Sequence, residues 1–376
     1  GARRNHRFIE GEGLEVRSLA PQMTAEDVRA FWRADRLESL QPFFSDSVIR
    51  ARVRSELDLY EDLQPAAVIT GFCLSTAVSA RVAKVPLVWI NQSTWLLEYM
   101  QKYSAWPDAF DHPAMRLLPD GVWDRMGRRL TALGFWSWSH GFSKVAREHG
   151  LAGFSGSSIM EGEHNLLAEP PDFSGFDLPE RIRSHTRYVG PLIARLPIDV
   201  PESVRELPRD QPIVYFAMGS SGIDATVVEV LKSFAGKPWR VIAPVGELLE
   251  SANVTPPPNV VVTGWLPAHE VNPMAAISVI HGGIGTVMTA CLAGTPIVGI
   301  GNGNPEQESN LDCIVRKGFG ARLRKQRLSP RAVTDAIEVL LGDPAARARA
   351  TEFQASCRAW DGPRLAGQFL VETFGG

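Results

Sequence analysis

The sequence predicts an α/β protein made of two doubly wound, Rossmann-like halves with parallel sheets. Three observations predict it. Short β-branched runs alternate with helix-length segments along most of the chain. A proline-rich stretch at 191–211, carrying Pro191, Pro197, Pro201 and Pro208, separates two halves of similar style. The stretch 279–320 reads as strand, glycine turn, helix, strand and polar loop, so two strand ends aim polar residues at one spot.

Composition sets the outer bounds. The chain has 376 residues, 44% of them hydrophobic, enough to bury more than one core. Lys plus Arg is 39 against 42 for Asp plus Glu, a formal net charge of −3, which excludes the basic footprint of a nucleic-acid binder. No run of 18 apolar residues suggests a membrane span, and the first residues, GARRNHRFIEGEG, hold no apolar secretory core. Cys73, Cys291, Cys313 and Cys357 are widely spaced with no CxxC pair, and read as free thiols of a cytoplasmic protein.

The elements follow in order. In the first half, 66–70 (AAVIT) is a short buried strand, Gly71 turns into the small-residue helix LSTAVSARVA, and 85–90 (VPLVWI) is the next strand. Residues 120–150 carry a helical pattern with Trp123, Leu130, Leu133, Trp136 and Trp138 among Arg and Lys. Beyond the proline bridge, 212–217 (PIVYFA) is a strand, followed by the tight turn Gly219-Ser220-Ser221-Gly222 and a helix at 226–234. Strands at 239–243, 260–263, 279–281 and 296–300 continue the alternation, and 329–341 and 343–355 are closing helices. The layout expected is a first domain at 1–190, a linker at 191–211, a second domain at 212–355, and a C-terminal helix at 356–376 that packs back on the first domain.

The candidate ligand site lies in the second half. His281 ends a strand; Gly282, Gly283 and Gly285 form a turn; a helix begins at about Thr286. A helix N-terminus offers backbone N–H groups and the positive end of the dipole, which favour phosphate, and glycine lets a backbone approach a ligand closely. A diphosphate-bearing ligand is the natural reading. No HExxH, no DxD in context and no Cys/His spacing suggests a metal. No GxGxxG with a following acidic residue supports a dinucleotide dehydrogenase.

Taken together, Gly264-Trp265-Leu266-Pro267, His281-Gly282-Gly283-Ile284-Gly285-Thr286, Gly294-Thr295-Pro296, Glu306-Gln307 and Asn310 resemble the donor-site signature of family 1 glycosyltransferases. The first half is similar more loosely, through VIT-G-F and SARVAKVPLVWIN, and the bacterial branch acting on lipids, antibiotics and other small hydrophobic molecules looks nearest. The resemblance implies a GT-B fold, two Rossmann-like domains across a cleft. It implies Trp265 stacked on the nucleotide base, and His281 on a phosphate oxygen with the N–H groups of Gly283, Gly285 and Thr286. Ser220 and Ser221 would add phosphate contacts, and Glu306 and Gln307 would hold the sugar hydroxyls.

The co-substrate implied is a UDP- or dTDP-sugar, with no bound cofactor, and the reaction an inverting, metal-independent transfer. Partners are the nucleotide sugar and a small acceptor, with Trp89, Trp95 and Trp136 as candidate acceptor contacts. The basic, Trp-containing stretch 125–144 is either a buried amphipathic helix or a peripheral membrane contact.

Three departures from the family pattern stand out. The family's opening Gly-His-x-x-Pro loop, whose histidine is the acceptor base, is not among these residues; His6 does not match it, and the catalytic group is left open. An incomplete start to the chain is the favoured reading. Gly71 stands where relatives carry an aspartate that orients that histidine. Thr289 stands where an acidic or amide residue usually binds the ribose. The alternative reading is therefore a catalytically impaired nucleotide-sugar binder or partner-activating protein of the same fold.

Overall fold

The structure is a computed structural model that describes residues 3–35, 42–103, 120–218, 224–301, 303–324 and 328–375. Two parallel sheets organise it. The first has β1 (Val68–Thr70), β2 (Leu87–Asn91), β3 (His164–Leu167) and β4 (Thr186–Tyr188) in the order β1-β2-β3-β4. The second has β5 (Ile213–Ala217), β6 (Arg240–Ala243), β7 (Val260–Val262), β8 (Ile277–Ile280), β9 (Ile297–Ile300) and β10 (Gly320–Leu323) in the order β10-β9-β8-β5-β6-β7. Every recorded pairing is parallel.

A parallel sheet covered on both faces needs apolar residues at every position, and β5, β8 and β9 (IVYFA, ISVI, IVGI) are buried throughout. Helices approach this sheet closely. A Cβ at Gly299 in β9 would lie 2.3 Å from the Leu311 side chain, so glycine there admits the helix Pro305–Arg316.

The strand order fixes where a ligand belongs. The chain runs β5, β6, β7 to one side, then returns and lays β8 on the other side of β5. That reversal opens a crevice beyond the carboxyl ends of β5 and β8, the place where open α/β sheets take ligands. The glycine turn follows β8.

The last helix, Gly362–Phe374, packs Ala366 and Phe369 with Val88, Leu166 and Val189 of the first sheet. The chain crosses between halves at a tight place: a Cβ on Gly190 would lie 2.2 Å from Cβ of Trp360, and one on Gly362 would lie 2.3 Å from the Pro191 carbonyl.

The short strands β3, β4 and β10 lie outside the sequence-based expectation, and the helix after the glycine turn begins at Ile284, ahead of Thr286. Two of the three expected acceptor contacts, Trp89 and Trp136, are not among the residues that line the cleft. Trp89 is fully buried beneath the first sheet, in a cluster with Leu87, Val78 and Phe142. Leu87 and Trp89 share one face of β2 while Val88 takes the other, so the period-2 alternation aims Trp89 into the core. Trp136 is 57% exposed on the helix Asp120–Glu148 and lies against His140. Its neighbour Phe135 faces the core; one residue further around the helix points outward.

Candidate active site

The glycine turn is built by close approach. Gly282 has φ +96°, and a Cβ there would lie 2.7 Å from the Gln307 carbonyl and 2.8 Å from Leu311, so only glycine fits. Gly283 is the N-cap of the helix Ile284–Ala293, and a Cβ there would lie 2.8 Å from Nε2 of His281. The His281 ring thus lies over its own turn. Burial pushes its pKa down to about 4, opposed in part by the Ala217 carbonyl, so the imidazole is neutral at physiological pH. Its Nδ1 is buried and makes no hydrogen bond among the described residues.

The loop after β9 supplies the second wall. Asn304 caps the helix Pro305–Arg316 by accepting from the N–H groups of Glu306 (2.8 Å) and Gln307 (3.3 Å), and Pro305 takes the first turn. Gln307 is buried and its Oε1 has no partner among the described residues. Glu306 turns its carboxylate toward the neighbouring helix, where Oε1 accepts from the Ile284 N–H at 3.2 Å and from Nδ2 of Asn310. Burial pushes its pKa up to about 8, and those two hydrogen bonds hold it back from rising further. Asn310 also donates to the Gly282 carbonyl at 3.0 Å and accepts from the Thr94 hydroxyl at 2.6 Å, which joins this loop to the first half.

Across from these groups the first half offers an aromatic wall. Phe31 and Trp32 come from the helix Ala25–Asp35, Phe72 follows β1, and Trp95 ends the short helix after β2. Phe72 stacks on Trp95 at 6.4 Å and meets Phe31 edge-on at 6.3 Å. The two walls enclose a cleft of about 550 Å³, to which Asp35, Gly71, Asn91 and Gln92 also contribute. Gly71 has room: a Cβ there would meet only the Ile90 carbonyl, at 3.9 Å.

The structure brings His281, Gly283, Gly285, Thr286, Glu306, Gln307 and Trp95 to one cleft. Ser220 and Ser221 lie outside the described residues. Trp265, 38% exposed, stands apart from the cleft lining and stacks on Phe8 at 5.8 Å. The Thr289 hydroxyl donates to the Gly285 carbonyl at 2.7 Å, the habit of threonine inside a helix, so it is engaged with backbone. Phe72 entered the sequence reading only as part of the VIT-G-F match, and Phe31, Trp32 and Asp35 escaped it. Their signal was the AFWRAD pattern, in which Phe31 and Asp35 are four residues apart on one helical face. Among the described residues, no group of three His, Cys, Asp or Glu side chains is placed to hold a metal, and no helix is long and apolar enough to cross a membrane.

This geometry agrees with what the chain resembles. Residues 232–372 match the family model described as Erythromycin biosynthesis protein CIII-like, C-terminal domain. A PGL/p-HBAD biosynthesis rhamnosyltransferase of Mycobacterium bovis (strain BCG / Pasteur 1173P2) is 29% identical over 308 residues, covering 78% of this chain and 64% of that protein. The solved spinosyn rhamnosyltransferase SpnG, complexed with thymidine diphosphate, superposes with a TM-score of 0.67 at 18% identity, covering 100% of this chain and 90% of its own. The chain is thus similar to glycosyltransferases, and its second half to the erythromycin CIII-like C-terminal domain. Its two-sheet architecture is the GT-B fold. It spans 64% of the length of the mycobacterial rhamnosyltransferase it matches.

Also similar is the 4'-demethylrebeccamycin synthase of Lentzea aerocolonigenes, 29% identical over 202 residues, covering 52% of this chain and 46% of that protein.

Proposed function

We propose that this protein transfers a sugar from a nucleoside diphosphate donor to a hydroxyl of a hydrophobic small molecule, with inversion and without a metal. One observation carries the reading: the turn 281–286 and the Gln307 loop face an aromatic wall across a single cleft. The diphosphate lies at the N-terminus of the helix Ile284–Ala293, where N–H groups and a neutral His281 donate to its oxygens. The sugar lies toward Gln307, whose buried Oε1 accepts from a sugar hydroxyl. The acceptor body lies against Phe31, Trp32, Phe72 and Trp95.

In the reaction the acceptor oxygen bonds to the anomeric carbon as its proton leaves. The anomeric carbon–phosphate oxygen bond breaks, and its electron pair departs with the nucleoside diphosphate. Preorganised N–H donors at the turn stabilise that growing charge, an effect typically worth about 3–4 kcal/mol per donor. SpnG has been solved with thymidine diphosphate and with spinosyn aglycone, which favours a thymidine or uridine donor and a bulky apolar acceptor here.

The test is a panel of UDP- and dTDP-hexoses against hydrophobic alcohols and phenols, with and without a chelator, read by mass spectrometry. The expected product has the mass of acceptor plus sugar, is unaffected by the chelator, and shows inverted anomeric configuration by NMR. Nucleoside diphosphate binding with no transfer from any donor replaces this reading with that of a binding protein.

A further inference from the structure

We propose that the outward face of the helix Asp120–Glu148 docks on an anionic lipid surface. Val122, Leu133, Trp136, His140, Lys144 and Arg147 are all exposed on this helix. At about 100° per residue the six fall within an arc of about 80°. The stripe is graded along its length: the apolar members come first, and Lys144 and Arg147 follow near the end of the helix. Leu133 is 55% and Trp136 57% exposed, although tryptophan is usually mostly buried. Core packing does not account for them. It uses the opposite face, where Phe135 and Trp138 meet Trp95 at 6.0 and 5.9 Å.

Charge singles out the occupant. The end of this helix lies beside the start of the helix Asp46–Leu63, with Lys144 paired to Asp46 and Arg50 to Glu148. Residues 46–54 and 140–148 carry Arg50, Arg52, Arg54, Lys144 and Arg147 against Asp46 and Glu148. That is five cations to two carboxylates, a local excess of three positive charges in a chain of net charge −3. Ion pairs this exposed are weak, so headgroup phosphates can take a share of the cations. A second copy of the chain would bring the same cations into the contact. An anionic bilayer accepts both parts of the stripe: Leu133 and Trp136 enter the boundary between headgroups and acyl chains, and the basic end meets the phosphates.

Docking here has a consequence for acceptor supply, and that consequence alone rests on the transfer reading above. The inner face of the helix backs Trp95, which lines the cleft. A bilayer on the outer face stands one helix away from the aromatic wall, so an apolar acceptor dissolved in lipid has a short way to travel.

The test is co-sedimentation of the full chain with vesicles of phosphatidylglycerol and phosphatidylcholine in equal parts, and with vesicles of phosphatidylcholine alone. The protein should sediment with the anionic vesicles, hardly with the neutral ones, and less as salt is raised. Leu133→Ser/Trp136→Ser should lower the partition coefficient by about tenfold or more, the loss expected for two inserted apolar side chains. Lys144→Gln/Arg147→Gln should lower it by about tenfold on the anionic vesicles only. Val339→Ser, which removes an exposed apolar side chain elsewhere, should leave binding unchanged. Circular dichroism checks that each variant is folded. No sedimentation of the wild type with anionic vesicles overturns the proposal. So does a folded Leu133→Ser/Trp136→Ser variant that binds like wild type. A dimer in light scattering that this variant abolishes, with no vesicle binding, gives the face to a second copy instead. Vesicle binding by a protein that transfers no sugar supports the docking and counts against the transfer reading alone.

Discussion

His281 and Gly283 form one functional unit at the scale of single residues. In the ligand-free protein the histidine is neutral well above pH 4, so under the proposed function it would offer a phosphate a dipolar N–H, with the ligand carrying the charge. Replacing it with alanine should weaken nucleoside diphosphate binding by roughly tenfold or more in calorimetry, the loss of one charge-assisted hydrogen bond. Gly283→Ala should do nearly the same with His281 intact, because the added Cβ would lie 2.8 Å from Nε2 and push the ring aside. Retention of full affinity by either variant, with the fold intact by circular dichroism, would remove the ring from the phosphate site. In the ligand-free protein the ring takes up no proton between pH 6 and 8, so any pH dependence of the affinity in that range that His281→Ala removes would report a proton bound together with the diphosphate.

At the scale of elements, the loop between β9 and the helix Pro305–Arg316 is held by a buried ion pair. Arg322 on β10 donates through Nε to Glu308 Oε2 at 2.5 Å and through a terminal nitrogen to Asp312 at 2.7 Å. Glu308 is fully buried, and its Oε1 accepts from the Gly303 N–H at 3.3 Å. A Cβ at Gly301 would collide with that carboxylate, so glycine lets the loop fold over the charge. Arg322→Met removes the guanidinium that Glu308 and Asp312 share and should destabilise the protein by about 3–5 kcal/mol in urea unfolding. A change below about 1 kcal/mol would mean that the pair is solvated in solution.

The same elements show what sequence can and cannot reveal. β8, the glycine turn and β9 were legible because continuous apolar strands, a glycine turn and a capped helix start each leave a distinct local pattern. β3 and β4 (HNLL and TRY) are short and mix polar residues into the run, so no period stands out. Sequence offered Trp89, Trp95 and Trp136 as acceptor contacts without a sign of which of them face a cleft. Trp95 lines the cleft, while Trp89, on the neighbouring strand, faces the core. The Phe31–Asp35 face was invisible because a single helical turn acquires meaning only from what it packs against.

Across the whole molecule, the two halves meet through buried polar groups, and these tie stability to pH. Thr94 bonds Asn310, Asn310 bonds Glu306, and the residue beside Thr94, Ser93, donates its N–H (3.1 Å) and its hydroxyl to Glu169 at the end of β3. Glu169 is fully buried; desolvation pushes its pKa up to about 7, and Oε2 has no partner among the described residues. Glu306 rises to about 8 for the same main cause. Both folded values exceed the ordinary value of 4.5, so the folded state binds more protons than the unfolded chain between that value and the raised ones. The stabilisation from keeping these acids protonated is complete below pH 4.5 and is lost as pH rises through about 7 for Glu169 and about 8 for Glu306. The melting temperature should therefore carry a component that falls between about pH 4.5 and 8. A Glu169→Gln/Glu306→Gln double variant, which cannot ionise at either position, should flatten that fall by several degrees, and Glu169→Gln alone should flatten mainly its lower part. Differential scanning calorimetry at several pH values reads this directly, and parallel wild-type and double-variant curves would mean that both carboxylates titrate normally in the folded protein.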